Sequence, residues 1–467
     1  MLRASLATFL AQGDVLPYAA AHLADAADLF HGVDPQREQL ALLRAFDVAQ
    51  VVERLMLATT VTELGQRMRS AAAGDDGVFG IVLTGLSALI LEPYAEAIGP
   101  MRAAVAAMAA LDDSRILLFG TAGVALTTAL WDERARDRHL EQSEQMAVTS
   151  GALKALDTYL WMRSLTDLDR ADVVSAGRVL ERVRETRRAM GYPAEHVINS
   201  PYLAWTGESR ELVEQIAEAT LAAGFAGVNT AAVHALAGRD LAEGRYEAAY
   251  AELTMSQQYA FLQVRARHLP DFVEAAVRSG HLAEARRATE ELTRIATANQ
   301  APWALGISAR CLALIDETAS AERYFASALE LLATTDTPGD LDRTHLLYGE
   351  WLRRRRRRND AGSQLQRARA GFLRAGATAF AERARRELAA LGEQSAPLAE
   401  PTPWARLTVQ ESQVATLAAA GGTNAEIAAT LFVSPNTVDY HLRKVFRKLG
   451  ISSRRQLREH RPVTDPA

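Results

Sequence analysis

The sequence predicts an all-α protein, a long helical array that ends in a small, separately patterned C-terminal block. Three observations predict this. Ala, Leu, Arg and Glu dominate residues 1–391 and recur at helical spacing, whereas Val, Ile and Thr rarely alternate with polar residues as half-buried strands require. Short breaks carrying Gly, Asp or Pro punctuate the chain at 74–77, 112–113, 191–193 and 337–340. Finally, a stretch at 392–406 holds Pro397, Pro401 and Pro403 and reads as a linker between residues 1–391 and 407–467.

The first clear helix has Asp34 as its N-cap and Pro35 at its first position, where a missing N–H costs nothing; Leu40, Leu43, Val48 and Val51 lie along it. The two longest apolar stretches are Val78–Leu91 and Ile116–Trp131, of 14 and 16 residues. Both fall short of the roughly 18–20 residues of a membrane-spanning helix, so each predicts a buried helix. The opening residues Met1-Leu2-Arg3-Ala4 lack the order of a signal peptide. A cytoplasmic protein is expected.

The second half of the array repeats loosely. Leu236–Ala249 and Ala275–Ala285 each place a glycine (Gly244, Gly280) five residues before a small residue (Ala249, Ala285), a pattern in which the glycine ends one helix and the alanine lets the next approach closely. The glycines are 36 residues apart, and Asp316–Ala328 follows at the same spacing without one. The period is close to the 34 residues of a tetratricopeptide (TPR) repeat, so a TPR-like helical-hairpin repeat region is expected, with an irregular helical domain as the alternative. Gly392 is placed to cap the last helix.

Several chemistries are excluded by composition. Cys311 is the single cysteine, so neither an internal disulfide nor a Cys-based zinc site is available. The ten histidines show no HExxH pattern, and His234, His281 and the rest read as core or surface; no metal and no cofactor are expected. Of 52 Lys and Arg, only Lys154, Lys444 and Lys448 are lysines, and none follows a glycine, so no phosphate-binding P-loop is present. No Gly-x-Ser-x-Gly elbow and no paired carboxylates stand out, and the chain reads as a non-enzyme.

The C-terminal block reads as four short helices. Thr408 with Glu411, Thr423 with Glu426, and Ser453 with Gln456 have capping-box spacing, and Ser434 precedes Pro435 at a third helix start. Gly421-Gly422 stop the first helix. Val414, Leu417, Ile427, Leu431, Val438, Leu442, Val445, Leu449 and Leu457 form its expected core. The second and third helices are joined by a very short turn around Phe432-Val433, the helix-turn-helix arrangement that lays the later helix in the major groove of DNA. On that helix Asn436, Asp439, Tyr440 and Arg443 are candidates to touch bases, because Arg pairs with guanine, Asn with adenine, and an acid accepts from cytosine. Thr423, Asn424, Ser434, Thr437, His441, Lys444, Arg447, Lys448, Ser453, Arg454 and Arg455 are candidates for phosphate.

The run from Leu407-Thr408 through Gly422-Thr423-Asn424-Ala425-Glu426-Ile427-Ala428, Leu431–Ser434, Thr437-Val438, His441-Leu442 and Lys448-Leu449-Gly450 to Ser453-Arg454 resembles the LuxR-type (GerE-like) DNA-binding domain. The resemblance implies that the third helix reads double-stranded DNA at the positions of Asp439, Tyr440 and Arg443, that Thr437 and His441 position it, and that two domains bind paired half-sites as a homodimer. Many members carry Lys or Arg where this chain has Asp439, which leaves open the base read there. Residues 348–388 and Pro302–Leu305 resemble the end of the helical sensor region in large ATP-binding LuxR-type regulators, whose ATPase this chain lacks. The resemblance implies a small-molecule or protein effector at the helical repeats. Two alternatives stay open: a TPR-like interaction scaffold, and a fragment of such an ATP-dependent activator whose start lies upstream of Met1.

Charge and two clusters complete the reading. The net charge of −5 divides into +3 on residues 407–467 (eight basic, five acidic) and therefore −8 on the remainder. Arg353–Arg358 circles a helix more than once and reads as a solvated helix end beside Glu350 and Asp360 rather than a second nucleic-acid patch. Tyr159, Trp161, Tyr192, Tyr202 and Trp205 read as core, with a ligand-stacking role as the alternative.

Overall fold

The computed structural model describes residues 16–111, 114–192, 199–259, 261–392, 407, 409–431 and 435–457, and divides into two compact units, Met1–Glu393 and Gln394–Ala467. Its described residues are all-α. The first unit begins with α1 (Leu16–Asp28), α2 (Pro35–Val52), α3 (Val61–Ala72), α4 (Val78–Leu91), α5 (Tyr94–Ala109), α6 (Ala122–Ala129), α7 (Glu133–Thr149), α8 (Leu153–Asp169), α9 (Val173–Ala189), α10 (Ser200–Trp205) and α11 (Arg210–Ala222). It continues through α12 (Ala226–Glu243), α13 (Tyr246–Tyr259), α14 (Leu262–Arg278), α15 (Leu282–Asn299), α16 (Pro302–Ile315), α17 (Ser320–Leu332), α18 (Pro338–Arg354), α19 (Arg358–Ala375) and α20 (Thr378–Ala390).

Local sequence explains most of these boundaries. The Asp34 carboxylate accepts from the Arg37 amide 3.1 Å away, with Pro35 at the first helical position. Thr60 and Glu63 make a full capping box at the start of α3. Gly244 and Gly280 end α12 and α14 at φ +85° and +87°, and Ala249 and Ala285 are fully buried five residues on. Val78–Leu91 is one helix, as expected. Ile116–Trp131 is not. Gly120 turns the chain at φ +54°, with a 3₁₀ segment (Ser114–Phe119) before it and α6 after it. The Asp47 carboxylate of α2 holds the turn, accepting from the Thr121 amide at 2.8 Å and its hydroxyl at 2.7 Å. A Cβ on Gly120 would meet that carboxylate. A continuous apolar pattern is thus overruled by a pair of half-buried polar contacts to one carboxylate.

Consecutive helices pack against each other along the unit, the second half also returns to the first (α12 packs on α2, α14 on α4 and α6, α15 on α5), and it closes on itself where α20 packs on α12. Trp131, just after α6, belongs to the core built by Leu241, Leu253, Val273, Leu292 and Trp303 of the second half. Among these helices lies a partly open cavity of about 690 Å³. Cys311 is fully buried, and burial pushes its thiol up to about 12. Among the described residues no helix is long and apolar enough to cross a membrane.

A buried ionic network ties the returning helices together. Arg383 of α20 donates to Glu350 of α18 through Nε (2.7 Å) and Nη2 (3.0 Å), and through Nη1 to Glu274 of α14 (2.7 Å) and the Leu241 carbonyl of α12 (3.0 Å). Arg343 adds a 2.9 Å bond to Glu274, and Arg278 bonds Glu350. Burial alone would raise the Glu274 pKa; Arg343, Arg383 and Arg278 outweigh it and hold the carboxyl at about 2. Glu350 is therefore committed to this network rather than to the arginine run beside it. That run ends α18, crosses the turn and opens α19; Arg353 pairs with Glu387, and Arg357 with Glu322 and Asp360. Replacing Arg383 by Met leaves two buried carboxylates without their shared cation, although each keeps a second arginine. Urea unfolding followed by helical circular dichroism should show a loss of about 3–5 kcal/mol; a loss below about 1 kcal/mol would show that the network is dispensable.

Candidate nucleic-acid interface

The second unit is built from α21 (Val409–Ala419), α22 (Asn424–Leu431), α23 (Pro435–Leu449) and a 3₁₀ turn (Arg454–Leu457). The expected fourth helix is represented among the described residues by that turn alone. Val414, Ala418, Ile427, Val438, Leu442, Val445, Leu449 and Leu457 form one buried core, with Leu417 partly buried against it. The side chain of Leu431 lies outside the described residues.

Two of the sequence-read caps are visible. At α22, the Thr423 hydroxyl accepts from the Glu426 amide at 3.2 Å while Glu426 accepts from the Thr423 amide at 2.7 Å. This reciprocal bonding, through the Thr423 backbone first and its hydroxyl second, holds the Glu426 carboxyl below the usual range. At the last turn, the Gln456 side chain accepts from the Ser453 amide at 3.1 Å and from the Ser452 amide at 2.9 Å. Thr408 and Ser434 lie outside the described residues. Three residues, 432–434, separate α22 from α23.

Helix α23 has two chemically distinct faces. Val438, Leu442, Val445 and Leu449 are buried, which fixes the rotation of the helix. Tyr440, Arg443 and Arg447 are exposed; the Arg443 side chain is 80% exposed. Arg443 is held by Asp439 one turn earlier, Nη2 to Oδ2 at 2.7 Å, and the Lys444 ammonium sits 4.5 Å from the Tyr440 ring centre. The Asn436 and Arg455 side chains lie outside the described residues. Asp439 and Arg443, read separately in the sequence, thus form one unit; their i,i+4 spacing was the available signal.

The phosphate candidates divide similarly. Arg447 is exposed, and the half-buried Lys444 sits beside the Tyr440 ring. Lys448 instead reaches the Glu411 carboxylate of α21, Nζ to Oε2 at 2.7 Å, where Glu411 is only 3% exposed. This bond ties α21 to α23. Arg454 donates to the Asn424 side chain at 3.1 Å, joining the last turn to the start of α22. Thr437 and His441 are half-buried on α23. Burial lowers the His441 pKa, Glu411 opposing and Lys444 reinforcing the shift, so the ring is neutral at pH 7 and offers an N–H rather than a charge.

Comparison with known proteins places this geometry. Residues 405–460 match the family described as bacterial regulatory proteins, luxR family. Proteins named as HTH-type transcriptional regulators in Mycobacterium bovis and Mycobacterium tuberculosis are each 43% identical over 81 residues, covering 17% of this chain and 8% of each relative. A protein named as a transcriptional regulatory protein in Hyphomicrobium methylovorum is 44% identical over 52 residues, 11% of this chain and 25% of its own. Residues 405–460 are a LuxR-family helix-turn-helix domain. The chain spans less than a tenth of the mycobacterial relatives it matches, so the likeness is that of one domain.

Because Lys448 bonds a buried acid, its replacement by Ala is expected to weaken the packing of α21 on α23 by about 1–2 kcal/mol. Faster hydrogen exchange at α21 and α23 amides would record it. Unchanged protection would return Lys448 to the set of free cations.

Proposed function

We propose that this chain is a sequence-specific DNA-binding transcriptional regulator whose helical array senses an effector. The observation that supports it best is α23 itself: a buried stripe fixes its rotation, and the opposite face carries Tyr440, Arg443 and Arg447 in solvent. A helix held in this way by a helix-turn-helix core is what a major groove accepts. Arg443, steadied by Asp439, reads guanine; Tyr440 and Asp439 read neighbouring bases, as does Asn436, whose side chain lies outside the described residues. Lys444, Arg447 and Arg454, with the amides at the starts of α22 and α23, meet phosphates. Two domains bind paired half-sites, and tethering them raises avidity only when their separation matches the site. The acidic array repels DNA, which leaves the basic C-terminal unit to make the contact. An effector in the array then changes how two domains are presented, through the segment 392–406.

Full-length protein titrated onto duplexes at several salt concentrations tests this. Affinity should fall steeply with salt, and a preferred sequence should emerge by selection. Arg443→Ala should cost about 1–3 kcal/mol on that sequence and relax the choice of one base. Arg454→Ala should weaken all duplexes alike and flatten the salt slope by about one unit. A chain that binds no duplex at low salt would be a scaffold and not a regulator. Equal losses on preferred and random DNA would remove Arg443 from base reading.

A further inference from the structure

The cavity of the first unit holds two cations that the fold does not use in full. Arg136 of α7 and Arg267 of α14 both line it. Arg136 is 1% exposed, and its Nε and Nη2 have no hydrogen-bond acceptor among the described residues; the Nε of Arg267 has none either. The other arginines in the wall are committed: Arg187 to Asp157, Arg310 to Asp340, Arg343 to Glu274. An unmade hydrogen bond on a buried guanidinium is expensive, so an acceptor for these groups is called for.

The aromatic contacts do not supply one. The guanidinium of Arg267 lies 4.2 Å from the Trp131 ring centre and 3.8 Å from that of Trp303, and Arg136 lies 5.4 Å from Trp303. Such contacts engage a guanidinium without accepting its N–H groups. Trp303 is itself fixed, its indole N–H donating to Asp340 at 2.8 Å. On Arg136 the two free atoms, Nε and Nη2, make up one edge of the guanidinium, the edge that matches two oxygens of an oxyanion. Burial, then repulsion from Arg170 and Arg267, holds the Arg136 pKa down at about 10, so the ion stays charged in a positive neighbourhood. Asp169 also lines the cavity and opposes this field at both guanidinium groups, with Asp137 beside Arg136 and with Asp340 and Asp271 beside Arg267. The larger part of the wall is apolar and aromatic, including Trp161, Trp205, Phe225 and Phe380, with His234, His268 and several threonines among it. About 690 Å³ is within the range of small-molecule sites.

We infer that the cavity binds an amphipathic organic anion, its oxyanion head on the Nε/Nη2 edge of Arg136 and on Arg267, its apolar body against the aromatic wall. This rests on the reading of the array as the sensing part of the chain. A carboxylate and a phosphate monoester share the head chemistry.

The test is fluorescence titration of the full chain with 8-anilinonaphthalene-1-sulfonate, beside N-phenyl-1-naphthylamine, which has the same rings without the charge. The sulfonate should bind saturably. Arg136→Gln and Arg267→Gln should each weaken it about tenfold and leave the neutral probe unchanged. Asp169→Asn should tighten the sulfonate. Neither arginine substitution removes a hydrogen bond from Nε, so the helical circular dichroism should persist, and it serves as the control for folding. Displacement by decanoate alone assigns a carboxylate head, by decyl phosphate alone a phosphate head, and by both the shared oxyanion chemistry. The proposal is overturned if both arginine variants bind the sulfonate as the natural chain does, if the neutral probe binds equally well and suffers the same losses, or if neither decyl anion competes. DNA affinity measured with and without decanoate separates the two readings: an anion bound through Arg136 with no effect on DNA keeps the site and removes the sensing role.

Discussion

Arg383 is the point on which the array turns. Helices α12, α14, α18 and α20 are far apart in sequence, and each contributes a ligand to one guanidinium or supplies it. Apolar packing alone gives neighbouring helices many acceptable sliding positions. A guanidinium with five directed donors admits few, because every donor displaced from its acceptor is left unmet in a dry interior. The network therefore acts on geometry more than on net stability. By closing the second half onto itself, it fixes the helices that carry Arg267, Asp271, Arg343 and Phe380 into the cavity wall.

The C-terminal unit meets a similar demand with fewer parts. Its core is small, and two polar ties complete it: Lys448 to Glu411 between the first and third helices, and Arg454 to Asn424 between the last turn and the second. Lys448, which looks like a phosphate contact in a list of basic side chains, is spent inside the domain, while Arg454 is held at its edge by Asn424. Among the described residues, the basic side chains of this unit are thus divided between holding the domain and facing outward. The Asp439–Arg443 pair does something else: it narrows the directions in which one exposed guanidinium points. A side chain already oriented loses less freedom on meeting a base edge.

What was legible in the sequence was local. Asp34 with Pro35, Thr423 with Glu426, Gly244 and Gly280 each act within one helical turn, so spacing alone revealed them. The α23 stripe was legible because a period of 3.6 residues is written along the chain. What failed depended on distance. The break at Gly120 is enforced by Asp47, some seventy residues earlier, and an apolar run carries no sign of that partner. Glu350 reads as a neighbour of the arginine run, yet its partners Arg278 and Arg383 come from other helices. Arg136 and Arg267 had no signal at all, since arginine is common throughout the chain. Of the aromatic cluster read as core, Tyr159 is buried and bonds the Gly120 carbonyl, whereas Trp161 and Trp205 line the cavity and Tyr192 is exposed.

The lone thiol has a consequence of its own. Cys311 sits on α16, fully enclosed, with its proton held to about pH 12. Thiolate is the form that oxidants and electrophiles attack, and here it is neither populated nor reachable at neutral pH. Peroxide or disulfide stress therefore has no sulfhydryl handle on this protein. A cysteine engineered into the outward face of α23 would be the single reactive thiol on the chain, so a fluorophore placed there would report on that helix without any background to remove.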